Sequence, residues 1–377
     1  MKLGLYIHIP FCKSKCAYCD FLSWRPESQE DIGAYLDLLG KEMALYAPLL
    51  RKRKLESVFI GGGTPSLVET EKLRGLLAKL GTYQDLEGLE VTLEANPESL
   101  LDQDLEALKK AGVNRLSLGV QSSQDRLLKK IGRIHTADMA KEAFYRAREA
   151  GFDNINLDFI SGLPGEDRAD IGANLAFIRD LDPDHLSYYA LIIEENTPLY
   201  EARKGGDFEE LSQEEDRWRI HHIEDQLEKL GYGQYEISNF AKPGKASRHN
   251  RLYWELGEYI GLGLGAHSNL GDRRYWNTDR LAAYKDDLDQ DKKPIGGGED
   301  LSGAERDQEL AIFGLRMNQG IALDTPLHDG ETFSDRYKEV IEDQIQAGLL
   351  IEEGGRVRLS RLGRDLAGQV ELAFYMA

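Results

Sequence analysis

The sequence has very little cysteine, and all of it lies in one place. Only three of the 377 residues are Cys, and they are Cys12, Cys16 and Cys19. An odd number of thiols argues against a disulfide framework, and thiols used only for packing would be scattered along the chain. Three thiolates in one short loop instead predict a metal site with one coordination position left open. Sulfur donors suit zinc or an iron–sulfur cluster, whereas structural zinc usually takes four protein ligands.

Positive charge and long apolar runs are also scarce. Lys and Arg number 47 against 66 acidic residues, which gives a net charge of −19 and argues against nucleic acid as the main partner. No stretch approaches the ~18 apolar residues of a membrane span, and the apolar segment before Cys12 is too short for a secretory signal. We therefore expect a cytoplasmic protein without a transmembrane segment. Peripheral contact with a membrane surface stays open.

The first half of the chain alternates short apolar, β-branched runs with helical patterns. The predicted strands cover residues 3–9, 57–60, 89–94, 115–120, 154–160 and 186–192. The predicted helices between them cover residues 32–50, 70–80, 103–111, 136–150 and 169–181. Strands that alternate with helices indicate a parallel sheet. We predict an α/β fold in which residues 1–200 form a partial (β/α)6 barrel.

The second half has a different pattern. Residues 201–288 form an extension that contains His249-Asn-Arg-Leu-Tyr-Trp254, and the charged, glycine-rich residues 289–300 read as a linker. Residues 300–377 predict a small α+β domain that resembles a winged helix, with a hairpin turning at Gly354-Gly355. Its presumptive recognition helix, residues 335–347, carries four acidic and two basic residues. We therefore expect a packing or docking module and not a DNA-binding one.

Polar residues and glycines follow the ends of five predicted strands. They are the cysteine loop, Gly61-Gly62-Gly63-Thr64-Pro65, Glu94-Ala95-Asn96-Pro97, Gly119-Val120-Gln121-Ser122, and Asp158 with Gly162–Gly165. In barrels of this type the chemistry lies at the C-terminal ends of the strands. Glycines let a backbone approach a ligand closely, and the planar guanidinium of Arg133 suits a carboxylate. Any one of these charged residues alone would fit a strand-end salt bridge equally well.

The spacing C-x3-C-x2-C, with Tyr18 before the last cysteine, resembles the cluster motif of the radical S-adenosylmethionine (SAM) superfamily. The resemblance implies the same barrel, and a [4Fe-4S] cluster held by Cys12, Cys16 and Cys19 with SAM on the fourth iron. From Tyr6 to about His267 the sequence is similar to the anaerobic coproporphyrinogen III dehydrogenase family. That similarity implies a SAM site formed by Tyr6, Gly62, Gly63, Thr64, Glu94, Gln121, Arg133 and Asp158. Three free cysteines, or a zinc loop that borrows a histidine, are the alternatives.

Two differences from the dehydrogenase sequence favour a different branch of that family. The dehydrogenase has a fourth cysteine where this chain has Phe21, and it has a long extension before the cluster where only eleven residues precede Cys12 here. The later His-Asn-x-x-Tyr-Trp motif resembles the HemW-type heme chaperones. That branch implies heme as a ligand and hemoproteins, such as respiratory cytochromes, as recipients. An enzyme acting on a porphyrinogen or another tetrapyrrole is the alternative.

His249 is the candidate heme ligand within that motif. Imidazole is the usual axial ligand of protein-bound heme, and Tyr253 and Trp254 could pack on a porphyrin face. The alternative is a histidine that caps a loop by hydrogen bonds, with the two aromatic residues as ordinary core. Ser247 stands where some relatives place a cysteine, so no neighbouring thiolate is available as a second ligand.

Overall fold

The computed structural model describes residues 3–376, and most of its strands belong to one large sheet. The strands of this sheet are β1 Leu3–Ile9, β2 Leu55–Gly62, β3 Glu90–Ala95, β4 Arg115–Gln121, β5 Ile155–Ser161, β6 His185–Ala190, β7 Gly233–Glu236, β8 Asn239–Ala241, β9 Glu258–Leu262, β10 His267–Leu270, β11 Arg273–Asn277 and β12 Ile295–Asp300. Their spatial order is β12-β11-β10-β9-β1-β2-β3-β4-β5-β6-β8-β7.

Strands β1 to β6 lie side by side in sequence order, and each neighbouring pair is parallel. This arrangement is the predicted partial (β/α)6 barrel. β1 is buried along nearly its whole length, as expected for a parallel strand that is covered on both faces. All six C-terminal strand ends therefore meet at one rim.

The helices up to residue 181 connect strands β1 to β6 and cover the outside of the sheet, and the later helices follow β6. They are α1 Gln29–Leu45, α2 Ala47–Lys52, α3 Thr70–Gly81, α4 Pro97–Leu100, α5 Leu105–Lys110, α6 Asp125–Lys130, α7 Ala137–Glu149, α8 Arg168–Leu181, α9 Pro198–Lys204, α10 Gln213–Lys229, α11 Arg248–Trp254 and α12 Leu281–Asp289. A short 3-10 helix, Pro65–Leu67, follows β2. Several helices start where the sequence has a capping residue, because Ser28, Thr136 and Asp167 each accept a hydrogen bond from a backbone N–H of the first turn.

Residues 201–300 extend the sheet at both edges. β8 pairs antiparallel with β6, and β9 pairs parallel with β1. The prediction of a linker over residues 289–300 was wrong for its second half, because Ile295–Asp300 is β12 and pairs antiparallel with β11. A side chain at Gly297 would collide with the ring of Trp276, with the nearest atom at 2.5 Å. The glycines that indicated a linker are therefore the residues that let this edge strand approach its neighbour.

The C-terminal part has a sheet and a core of its own. Its helices are α13 Gly303–Arg316, α14 Phe333–Arg336, α15 Lys338–Gln346, α16 Arg361–Asp365 and α17 Ala367–Tyr375, and its strands are β13 Ile321–Ala322, β14 Leu350–Glu353 and β15 Arg356–Leu359. β14 and β15 form the expected hairpin across Gly354-Gly355, and β13 pairs antiparallel with β15. The Trp254 ring on α11 contacts Phe313 on α13, at 6.1 Å between centroids. Within residues 3–376, no helix is both long and apolar enough to cross a membrane.

Candidate functional site

A cavity of about 390 Å³ opens at the C-terminal ends of the parallel strands. All but two of the predicted site residues line it, and these are Cys12, Cys16, Cys19, Gly62, Gly63, Thr64, Glu94, Gln121, Arg133 and Asp158. The two that do not are Tyr6 and His249. The fold thus brings together residues from four strand ends, from the cysteine loop and, with Arg133, from the segment after α6.

The cysteine loop follows β1 and is fixed at several points. The backbone N–H of Cys12 donates to the carbonyl of Trp24 at 3.0 Å, and the N–H of Ala17 donates to the carbonyl of Ile131 at 2.9 Å. All three thiols are free and half-buried, and burial raises the pKa of Cys16 and of Cys19 above that of an ordinary thiol. In residues 3–376, no three His, Cys, Asp or Glu side chains converge as ligands of a single ion would. A cubane cluster does not require that convergence, because each thiolate binds a different iron.

The end of β2 can approach a ligand only because it consists of glycines. A side chain at Gly63 would lie 2.6 Å from the carbonyl oxygen of Phe11 and 3.0 Å from the sulfur of Cys12. Gly62 has a φ of +112°, which L side chains rarely adopt. The glycine run is therefore required by the packing of β2 against the cysteine loop, and it leaves backbone exposed to the cavity.

Two partly buried carboxylates face the cavity, Glu94 on β3 and Asp158 on β5, and β4 lies between these two strands. Glu94 Oε2 accepts a hydrogen bond from the backbone N–H of Gly62 at 3.0 Å, and Asp158 accepts from Asn156 and Ser117 at 2.8 and 3.2 Å. Burial and the nearby Asp158 carboxylate raise the pKa of Glu94 to about 8. Burial likewise raises the pKa of Asp158. Such carboxylates suit hydroxyl and ammonium groups of a ligand, which would replace the missing solvent.

Arg133 and Gln121 complete the wall. Arg133 donates to Asn96 Oδ1 at 2.6 Å and to the Tyr18 hydroxyl at 3.1 Å. Its Nε is buried, and within the described residues it has no hydrogen-bond partner, so the guanidinium retains a donor for an anionic group. Gln121 has a φ of +65° at an irregularity in the pairing of β4 with β5. The open Nε donor of Arg133, the thiols and the glycine-lined backbone fit a cluster together with an amino acid that carries a carboxylate.

Tyr6 lies inside the barrel and does not line the cavity. Its hydroxyl is 2.9 Å from Nδ1 of His8, and Nε2 of His8 is 2.9 Å from the carbonyl of Leu22 in the cysteine loop. Tyr6 therefore contacts the loop through His8, and its predicted role in SAM binding stays a prediction.

His249 lies at the opposite end of the barrel, where α11 closes the interior. Its side chain is 1% exposed, its Nδ1 is 2.8 Å from Ser57 Oγ, and its Nε2 is 2.8 Å from the Tyr253 hydroxyl. Burial lowers its pKa to about 3. In this conformation neither ring nitrogen is free to bind iron, and the geometry matches the alternative of a hydrogen-bonded, capping histidine. The ligand role of His249 stays a prediction that requires α11 to open.

Several residues of the cavity were not predicted as site residues. Phe21, Tyr189 and Ile192 line the mouth and expose 60%, 40% and 69% of their surface. Asn96 lies deeper, between Thr64 and Arg133. The sequence placed Asn96 after a predicted strand without giving it a role, and it singled out Phe21 only as the position of a missing cysteine. Tyr189 and Ile192 have no sequence signal beyond lying near a strand end.

Comparison with known proteins agrees with this geometry. Residues 6–178 match the family model of the radical SAM superfamily, and residues 301–366 match that of the HemN C-terminal domain. The solved structure of coproporphyrinogen III oxidase (HemN) from Escherichia coli, a radical SAM enzyme, superposes with a TM-score of 0.83 over 99% of this chain and 90% of that one, at 23% identity. The barrel and its cysteine loop thus define a radical SAM protein.

Two similar proteins point to one particular family within the radical SAM superfamily. The chain is 36% identical to heme chaperone HemW of Bacillus subtilis over 98% of both chains. It is 39% identical to heme chaperone HemW of Escherichia coli over 71% of this chain and 70% of that one. This chain belongs to the HemW-type radical SAM family, which implies a [4Fe-4S] cluster and SAM as its cofactors.

Proposed function

We propose that this protein is a heme chaperone. It holds a [4Fe-4S] cluster on Cys12, Cys16 and Cys19, binds SAM in the adjoining cavity, binds heme, and passes the heme to hemoproteins such as respiratory cytochromes in the cytoplasm or at a membrane surface. The observation that carries the proposal is the full-length similarity to relatives named heme chaperones, together with one cavity that most of the predicted cluster and SAM residues line.

The cavity residues have distinct tasks in this proposal. The thiolates hold the cluster, and a bound cluster supplies single electrons. Arg133 would offer its unpartnered Nε to the carboxylate of SAM, and the Gly62-Gly63 backbone would hold the methionine part. Glu94 and Asp158 accept hydrogen bonds from the ribose and ammonium groups, which keeps the ligand oriented without solvent.

Heme binding has two candidate places in the described residues. His249 could become an axial ligand after α11 moves, at the expense of its bonds to Ser57 and Tyr253. The cavity mouth offers the exposed rings and methyl groups of Phe21, Tyr189 and Ile192, which suit the face of a porphyrin, and tyrosine ligates heme in some proteins. The carboxylates of Asp20 and Glu194 also line this mouth and would repel the negatively charged propionates of heme. The propionates would therefore have to point toward Lys15 or toward solvent.

A heme titration of the reconstituted, oxygen-free protein distinguishes the two places. We expect saturable heme absorbance in the wild-type protein. If His249 is the ligand, His249→Gln abolishes the shifted absorbance band while Phe21→Ser/Ile192→Ser retains it. If the mouth binds heme, His249→Gln retains the shifted absorbance band and Phe21→Ser/Ile192→Ser abolishes it. His222→Ala, on the surface of α10, is the matched control and should bind heme like the wild type.

Coproporphyrinogen III dehydrogenation is the second candidate, because the HemN fold covers nearly the whole chain. The same reconstituted protein is incubated with coproporphyrinogen III, SAM and a reductant. The chaperone proposal expects no protoporphyrinogen, and substrate conversion would overturn it.

A further inference from the structure

A chain of hydrogen bonds runs from the cluster loop into the wall of the cavity. The hydroxyl of Thr64 lies 3.6 Å from the sulfur of Cys12. Nδ2 of Asn96 lies 3.1 Å from Thr64 Oγ1. Thr64 is therefore the single residue that lies between the amide of Asn96 and the thiol of Cys12 in this chain of hydrogen bonds.

The oxygen of the same amide accepts a hydrogen bond from a buried arginine. Nη1 of Arg133 donates to Asn96 Oδ1 at 2.6 Å, and Nη2 donates to the Tyr18 hydroxyl at 3.1 Å. Asn96 therefore links Arg133 to Thr64 and, through Thr64, to the thiol of Cys12.

The directions of these bonds are fixed by chemistry. A guanidinium can only donate, so Asn96 must turn its oxygen to Arg133 and its NH2 group to Thr64. Thr64 therefore accepts from Asn96, which leaves its own proton for the sulfur of Cys12. Tyr18 likewise accepts from Arg133.

Local packing holds this arrangement in place. The backbone N–H of Asn96 donates to Ser66 Oγ at 3.2 Å. A side chain at Gly119 would lie 3.0 Å from Arg133 Nη2 and 3.1 Å from Asn96 Oδ1, so the glycine provides the room in which the two groups meet.

We propose that Asn96 is a positioning residue that directs the Thr64 hydroxyl onto the Cys12 sulfur and so raises the reduction potential of the cluster. The inference rests on the proposed function, since it requires the cluster on these cysteines. A reduced cluster carries one more negative charge than the oxidised one, and hydrogen bonds to its sulfurs stabilise that charge. Without the amide, the Thr64 hydroxyl is no longer constrained to point at Cys12.

The test is an EPR-monitored redox titration of full-length, anaerobically reconstituted variants. In Asn96→Asp the new carboxylate accepts from both Arg133 and Thr64, so the Thr64 proton turns away from Cys12. We expect wild-type iron content and a lower midpoint potential. Thr64→Val removes the hydroxyl itself and should lower the potential too.

A double variant separates the hydrogen-bond effect from the added negative charge. In a Thr64→Val background, Asn96→Asp should produce a clearly smaller shift than it does alone, because the hydroxyl it acts through is gone. An equal shift in both backgrounds, or an unchanged potential in iron-replete Thr64→Val, would overturn the inference. A wild-type protein that holds no iron and sulfide would instead refute the proposed function.

Discussion

At the scale of single residues, the site depends on glycines that let another segment of the backbone pass close by. Gly63 allows β2 to pass against the backbone of Phe11 and the sulfur of Cys12. The glycine run was visible in the sequence, but its reason was not. Its neighbours come from a loop about fifty residues earlier, and only the parallel pairing of β1 with β2 brings them together.

Gly63→Ala tests this packing. The added methyl group must displace the Cys12 loop, so we expect a loss of about 1–3 kcal/mol in the free energy of unfolding and a fall in iron bound per chain. Gly75→Ala is the matched control, since no atom lies within 4 Å of its added carbon on α3, and it should stabilise the protein by about 0.5–1 kcal/mol. Urea unfolding and iron analysis measure both, and equal effects of the two variants would contradict the packing argument.

The raised pKa of Glu94 predicts a pH dependence of stability. Its carboxyl has a pKa of about 8 in the folded protein and an ordinary value of 4.5. Between these values the folded state holds a proton that the unfolded chain releases, so the Glu94 contribution falls as pH rises through this window. Glu94→Gln should therefore gain stability relative to the wild type from pH 5 to pH 8. The difference grows by at most about 1.4 kcal/mol per pH unit.

Urea titrations of the apoprotein at several pH values measure this difference. Exposed Glu87→Gln is the control and should track the wild type. A stability difference between Glu94→Gln and the wild type that does not change with pH would show that Glu94 is ionised throughout.

At the scale of elements, the strand-and-helix alternation in the sequence predicted β1 to β6 to within a few residues. It failed where tertiary packing, and not the local sequence pattern, determines where an element begins and ends. Residues 32–50 were predicted as one helix but form α1 and α2, which meet at Tyr46 with Pro48 in the first turn of α2. The site residues were found by the same logic, because strand ends converge. Tyr6 came from resemblance alone, and His249 came from resemblance together with the ligand chemistry of imidazole; both lie away from the cavity wall.

The helix α11 is held to the barrel by His249. The backbone N–H groups of Arg248 and His249 donate to Glu90 at 3.1 Å each, and the imidazole stacks on Phe59 at 5.1 Å. His249→Ala leaves Ser57 and Tyr253 without their partner and creates a cavity, so we expect a loss of roughly 2–4 kcal/mol in the free energy of unfolding.

Thermal and urea unfolding of the heme-free protein measure this loss. His222→Ala on α10, whose ring stacks on Trp218 at the surface, should cost less than ~1 kcal/mol. A heme-free His249→Ala protein as stable as the wild type would show that the hydrogen bonds of His249 contribute little, and would favour a ligand role.

At the scale of the whole molecule, the C-terminal part is anchored to both α10 and α11. Asp365 on α16 pairs with His221 at 2.9 Å, and Arg361 pairs with Asp225 at 2.9 Å. Trp254 of the His-Asn-x-x-Tyr-Trp motif contacts Phe313 and lies 4.5 Å from the Arg316 guanidinium. This motif therefore connects the end of the barrel that α11 closes to the C-terminal core. A movement of α11 away from the barrel would disturb the contacts of both parts.

The central claim is that the protein hands heme on to a recipient. Heme-loaded protein is mixed, without oxygen, with a heme-free b-type cytochrome or, separately, with apomyoglobin, which only captures released heme. Heme transfer is followed by absorbance. The account predicts faster transfer to the cytochrome than to apomyoglobin. Equal rates to both acceptors would show that heme is merely released, and would contradict the account.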